Sequence, residues 1–154
     1  MGLVDYLRNQ YYWMKQTDTD AFTKYLRKKG AHIGDNVHFY TSNVDMRYID
    51  KISIGDNVTI SGSTLLAHDA STAKFLGKTK IGGVSIGSNV FIGWGSIILP
   101  NVTIGDNVIV GAGTVVRRDI PSGSVVIGNP AQIVCSAEEY LAKNRKRFED
   151  GSSN

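Results

Sequence analysis

Residues 86–120 read Ile-Gly-Ser-Asn-Val-Phe-Ile-Gly-Trp-Gly-Ser-Ile-Ile-Leu-Pro-Asn-Val-Thr-Ile-Gly-Asp-Asn-Val-Ile-Val-Gly-Ala-Gly-Thr-Val-Val-Arg-Arg-Asp-Ile, and the rhythm of this stretch decides the fold. An aliphatic residue recurs every six positions, at Ile86, Ile92, Ile98, Ile104, Val110 and Val116. Glycine usually follows it, at Gly87, Gly93, Gly105 and Gly111. A second small or β-branched residue stands four positions on, at Val90, Ser96, Val102, Val108, Thr114 and Ile120. Period six matches neither an amphipathic helix nor the period-two alternation of a long strand. It matches short extended segments joined by tight turns, each aliphatic stacked on the one a full coil away. Gly and Asn then supply the positive-φ backbone of the turns. No coil buries its own face, so the stack is stable only as a whole. A β-sandwich would space its strands about eight to twelve residues apart and does not match.

Working outward, the pattern continues upstream at Ile54, Ile60 and Leu66, and again at Ile33 and Phe39. The phrase Ile-Gly-Asp-Asn-Val occurs three times, at 33–37, 54–58 and 104–108. The expected fold is an all-β solenoid, a parallel β-helix of hexapeptide repeats over residues 31–134. Two breaks interrupt the register. Ile33 to Ile54 is 21 residues, three beyond three hexads, which places an irregular stretch around 43–51. Leu66 to Ile86 is 20, and the polar, lysine-rich segment of about 69–83 reads as a loop leaving the coil. Loops on a rigid scaffold are where binding and chemistry concentrate.

The ends read as helical: residues 1–30 form an N-terminal helical segment and residues 135–154 a C-terminal helix with a disordered tail. Asp5 to Lys15 and about Asp20 to Lys29 are the N-terminal helices, the second capped by Thr19 or Asp20 and ended by Gly30. Ser136 and Glu139 form a capping-box pattern opening a helix to about Phe148.

The chain has 154 residues, 42% apolar and 20% charged, which suits one soluble domain. A net charge of +3 suits an anionic ligand but falls far short of a nucleic-acid-binding surface. The single cysteine, Cys135, precludes an internal disulfide. No basic-then-apolar leader and no membrane-length apolar run stands out, so a cytoplasmic protein is expected.

Of the three histidines, His32 and His38 flank a repeat phrase and read as surface positions. His68 stands where the coil gives way to the loop, in Leu-Leu-Ala-His-Asp-Ala-Ser at 65–71. A neutral imidazole can take a proton from a hydroxyl or amine near neutral pH. The chain shows no nucleophile–base triad. A thioester is already activated, so direct attack needs only an acceptor, a base and an oxyanion partner. Three scattered histidines and one cysteine make a weak zinc pattern, so no metal is expected. The alternatives are a zinc-dependent carbonic anhydrase-like enzyme and a non-enzymatic solenoid scaffold.

Residues 84–131, with the Ile-Leu-Pro-x-Val-x-Ile-Gly-Asp-Asn run and the Asp-Ile-Pro…Gly-Asn-Pro-Ala ending, closely resemble the hexapeptide-repeat acetyltransferases, whose β-helix is left-handed. The Ala-His-Asp-Ala-Ser phrase is most similar to the sugar and polysaccharide O-acetyltransferases, with an amino-sugar N-acetyltransferase as the alternative. The resemblance implies acetyl-coenzyme A as co-substrate, a homotrimer with active sites between subunits, a sugar-like acceptor and His68 as general base. It sets Asn43, Asp45 and Asp69 on the acceptor side. Whether Asp69, Asp45 or a backbone carbonyl orients the imidazole is left open by the spacing. It sets the pantetheine arm along Gly93 and Gly111-Ala112-Gly113, and the phosphates near Arg117 and Arg118, whose planar forks suit phosphate. The chain departs from the family in carrying Phe91 and Trp94, where members often have Trp and a small residue. It also carries Gln132, where they often have Lys or Arg.

Overall fold

The computed structural model describes residues 19–151. The helix expected over Asp5 to Lys15 and the last three tail residues lie outside them. Three parallel sheets form the faces of a prism. The first holds 32–33, 52–54, 84–86 and 102–104. The second holds 37–40, 58–61, 90–92, 109–110 and 124–127, closed by an antiparallel strand at Gln132–Ser136. The third holds 43–44, 64–65, 97–98 and 115–116.

The registers show why six is the period. Ile54 stacks on Ile86 and Ile86 on Ile104; Phe39, Ile60, Ile92 and Val110 form a second column; Val44, Leu65, Ile98 and Val116 form a third. Apart from Val44, which is half-buried, these inward residues are buried and form one continuous core. Leu66 was expected in the third column and is not there: Leu65, fully buried, pairs with Ile98 instead. The corner between the second and third sheets is one residue shorter in this coil. Ile60-Ser-Gly-Ser63 does what Ile92-Gly-Trp-Gly-Ser96 does above it, and Trp94 is the extra residue.

The corner between the first and second sheets is built by asparagine. Asn36, Asn57, Asn89 and Asn107 have φ of 55–58°, a left-handed turn that Asn tolerates. Their amides form a ladder: Asn36 Nδ2 donates to Asn57 Oδ1 at 2.9 Å, Asn57 to Asn89 at 3.2 Å and Asn89 to Asn107 at 3.2 Å.

The two breaks fall where expected. Met46–Lys51 is a 3-10 turn, and residues 68–81 leave the prism as a small hairpin, His68–Asp69 against Lys80–Ile81, with a short helix, α2 (Ala73–Leu76), at its tip. At the N-terminal end α1 (Thr19–Lys28) seals the core with Phe22 and Leu26. The Phe22 ring meets Phe39 edge-on at 5.4 Å, and Gly30 at φ 112° turns the chain out of the helix. The Thr19 hydroxyl lies 3.2 Å from His38 Nδ1. At the other end α3 (Ala137–Glu149) opens with the expected capping box between Ser136 and Glu139.

Candidate active site

The third corner of the prism, between the third and first sheets, collects most of the polar chemistry. Each coil turns this corner differently: through the 3-10 turn after Asp45, through the hairpin after Ala67, through Leu99, Pro100 and Asn101, and through 117–119 at Arg117 and Arg118. Asp45 follows strand 43–44 and His68 follows strand 64–65, which lies directly above it.

Asp45 caps the 3-10 turn, its Oδ1 accepting from the Arg47 N–H at 3.2 Å. Its Oδ2 accepts from the Ala67 N–H at 3.0 Å and pairs with His68 Nδ1 in a short contact. The Asp45 side chain is only 5% exposed, that of His68 28%. Burial acts most strongly on the Asp45 carboxyl and raises its pKa. The hydrogen bonds from His68, Ala67 and Arg47, with the His68 charge, outweigh that and hold the group below its usual value. Asp45 is therefore a carboxylate at neutral pH. A carboxylate only accepts, so Nδ1 carries the proton, and in the neutral imidazole Nε2 keeps its lone pair. Nε2 has no hydrogen-bond partner among the described residues. The Tyr48 ring, from the kink in the 3-10 turn, packs on the imidazole at 5.2 Å between centroids.

Of the residues expected to orient the imidazole, Asp45 does so and Asp69 does not. Asp69 turns the opposite way, 2.6 Å from Lys80 Nζ across the hairpin, and accepts from the Ser71 N–H at 2.8 Å. Lys80 and Ser71 hold its carboxyl well below the usual carboxylate range. The physical reason is strand alternation: adjacent residues of an extended segment face opposite sides. Asn43 is exposed on the outer face of the third sheet, two residues before Asp45, with no side-chain partner among the described residues.

The residues expected along the cofactor stand on other parts of the prism. Gly93, Trp94, Gly111 and Ala112 lie at the corner between the second and third sheets. A Cβ on Gly93 would stand 2.7 Å from the Ala112 nitrogen, so the coils stack tightly there. Trp94 is 60% exposed and lies flat over Gly62, where a Cβ would meet its ring at 2.3 Å and where φ is 50°. Phe91 is exposed on the outer face of the second sheet, between Thr59 and Ile109. Arg117 and Arg118 are exposed at the third corner and line a groove of about 420 Å³ with Asp119, Pro130, Gln132 and Ile133.

Two residues at the site were not anticipated. Tyr48 lies in the irregular stretch, whose register break was its only signal. Lys80 holds Asp69 from a loop whose lysine richness was legible but whose pairing was not. The three histidines do not converge: His32 is on the first sheet, His38 on the second and His68 at the third corner. Among the described residues no three His, Cys, Asp or Glu side chains gather to hold a metal ion, and no helix is long and apolar enough to cross a membrane.

Comparison with known proteins identifies the family. Residues 83–118 match the family described as bacterial transferase hexapeptide (six repeats). The chain is 42% identical over 127 residues to Protein CapG of Staphylococcus aureus, covering 77% of this chain and 73% of that one. Among solved structures it is similar to a maltose O-acetyltransferase from Clostridium difficile 630, with 26% identity, a TM-score of 0.58 and 84% and 87% of the two chains covered. It is also similar to a serine acetyltransferase in complex with CoA, with 28% identity, a TM-score of 0.54 and 68% and 40% covered. The triangular coil, the repeat and these relatives together make the chain a member of the hexapeptide-repeat acetyltransferases, left-handed parallel β-helix enzymes.

Proposed function

We propose that the chain transfers an acetyl group from acetyl-coenzyme A to a hydroxyl of a sugar or polysaccharide precursor, with His68 as general base. One observation carries this reading: His68 is held by the buried Asp45 carboxylate through Nδ1 while Nε2 has no partner among the described residues, at a half-exposed corner. Nε2 accepts the acceptor's hydroxyl proton as that oxygen bonds to the acetyl carbonyl carbon. Asp45 stabilises the imidazolium so formed. The carbon–sulfur bond then breaks, and the proton passes from His68 to the departing sulfur. A backbone N–H steadies the oxyanion in between. Acetyl-coenzyme A supplies the activated thioester, and the relative solved with CoA supports it as the donor. Arg117 and Arg118 fit its phosphates: they stand at the same corner as His68, two coils on, about 10 Å along the axis at the usual strand spacing.

The reading includes a homotrimer. Trp94 and Ala112 lie at one corner of the prism and His68 at another, so one chain presents the two groups on different edges. A neighbouring copy brings unlike edges together and completes a site between subunits. A cytoplasmic enzyme fits this donor. An amino-sugar acceptor would use the same base, with an amine in place of the hydroxyl.

The test is release of free thiol from acetyl-coenzyme A across a panel of sugar acceptors. His68→Ala is expected to lose ~10²–10⁴ in rate while keeping its melting temperature and oligomeric state. Wild-type rates in that folded variant would refute the role of His68, and absence of thiol release with every hydroxyl acceptor alongside release with amino sugars would move the reading to N-acetylation.

A further inference from the structure

The His68 corner carries cations that no carboxylate among the described residues neutralises. Its acidic groups are all engaged: Asp45 with His68, Asp50 with Lys51 at 3.2 Å, and Asp69 with Lys80 at 2.6 Å. That leaves Arg47, Lys74 and Lys78, all exposed and none in an ion pair among the described residues. Arg47 stands two residues from Asp45. Lys74 and Lys78 stand on the hairpin that His68 begins, either side of its tip. That loop is built rather than loose at this point: the Thr72 hydroxyl donates to the Lys78 carbonyl at 2.7 Å, the Gly77 N–H donates to the Ala73 carbonyl at 2.9 Å, and the Asp69–Lys80 pair closes the base.

A neutral sugar is usually held by carboxylates and amides that accept from and donate to its hydroxyls. Here both carboxylates nearest the base are already bound, and the open amides nearby among the described residues are those of Asn43 and of Asn101, which packs against Gly82 at the hairpin base. Three exposed cations with no ion pair among the described residues, on the corner and hairpin that carry the open imidazole, suit an acceptor with its own negative charge. We infer that the acceptor is a phosphorylated sugar whose hydroxyl meets His68 Nε2 while its phosphate or diphosphate lies among Arg47, Lys74 and Lys78. This rests on reading the His68 corner as the acceptor site and narrows the substrate class within it. A nucleoside diphosphate sugar and a polyprenyl diphosphate sugar present the same group. Phe75 and Leu76, 82% and 71% exposed between the two lysines, offer apolar contact to a base or to an isoprenoid alike.

The experiment is equilibrium binding to the His68→Ala protein with coenzyme A at saturation, so that the cofactor's own phosphate site is filled and no turnover intervenes. The probes are UDP, dTDP, their glucose conjugates, free glucose, and a polyprenyl diphosphate sugar in detergent micelles against empty micelles. At least one diphosphate probe is expected to bind about tenfold or more tightly than glucose, less so as salt rises, and to weaken about tenfold in a Lys74→Ala, Lys78→Ala double variant whose affinity for coenzyme A is unchanged. Whether the soluble or the lipid-linked probe shows the lysine dependence identifies the source. Equal binding of glucose and every diphosphate probe overturns the inference. So does binding indifferent to the two lysines, or a lysine loss that falls on coenzyme A instead. Failure of the general-base reading shows separately, as wild-type transfer by His68→Ala, and leaves these affinities untouched.

Discussion

Replacing Asp45 by asparagine tests the site through one atom. Both carboxylate oxygens face donors: Oδ1 the Arg47 N–H at 3.2 Å, Oδ2 the Ala67 N–H at 3.0 Å and His68 Nδ1. An amide has one oxygen, so it cannot satisfy both sides. With the oxygen toward Ala67, the NH₂ confronts the Arg47 N–H. With the oxygen toward Arg47, the NH₂ confronts Ala67 and forces His68 into the tautomer protonated on Nε2, which cannot act as a base. The variant also loses the charge that stabilises the imidazolium. At a charge separation of ~4 Å and an effective dielectric of ~20 the pair is worth ~4 kcal/mol. A transition state with the proton half transferred loses about half of that, ~2 kcal/mol, or roughly 30-fold in rate. The wrong tautomer adds about tenfold or more, for an expected fall in kcat of ~10²–10⁴. Thiol release, run against acetyl-coenzyme A and acceptor concentration in turn, should show the loss in kcat with little change in the KM for the donor. A folded Asp45→Asn enzyme within about threefold of wild-type kcat would show that the pair does not prepare the base, whatever its geometry.

Three further outcomes concern stability. Asn89→Ala forces alanine into φ 58° and breaks two ladder bonds, at ~1–2 kcal/mol for the backbone and ~0.5–1 for each exposed bond. Asn89→Gly loses the same two bonds but keeps the backbone free and should cost only ~1–2 kcal/mol in chemical denaturation, so equal losses in the two variants would remove the backbone from the account. Ile98→Ala opens a cavity in a column where Leu65 and Val116 are also buried, and should cost ~2–5 kcal/mol and lower the melting temperature by about 5–15 °C; a loss under ~1 kcal/mol would mean the coils close over the gap. The Asp45 carboxyl titrates lower in the fold than its unfolded value of about 3.9, so ionisation favours the native state. That contribution is complete above about pH 3.9 and is lost as pH falls through the lower folded value, so the stability gap between wild type and Asp45→Asn should narrow in acid. A gap unchanged in acid would mean that Asp45 contributes by shape and not by charge.

What could be read in advance divides along a physical line. A coil repeats its backbone conformation, so its inward aliphatics and its left-handed asparagines recur at fixed chain spacing, and spacing is all that a single sequence displays. Stacking between coils is a relation across the chain, and there the reading slipped. Leu65 and Leu66 are both aliphatic, so nothing local chooses between them. Only pairing with Ile98 shows that the corner below Trp94 is a residue shorter. The choice among the candidate partners of His68 was left open although the needed number was already present. Ile33 to Ile54 sets the lower coil at 21 residues, and Asn43 pairs with Thr64 at the same interval. Adding 21 to Asp45 reaches Leu66, two residues from His68. Asp69, the obvious neighbour in sequence, faces away because consecutive strand residues point to opposite sides. In a solenoid the residue one coil back is therefore a better candidate partner than the residue next door. The same arithmetic fails above His68, where the hairpin makes the following coil 32–33 residues long and carries Lys74, Lys78 and Lys80 away from any fixed interval. The base and its carboxylate obey the coil, while the cations around the acceptor belong to the excursion from it, and so only the former could have been counted out from the repeat.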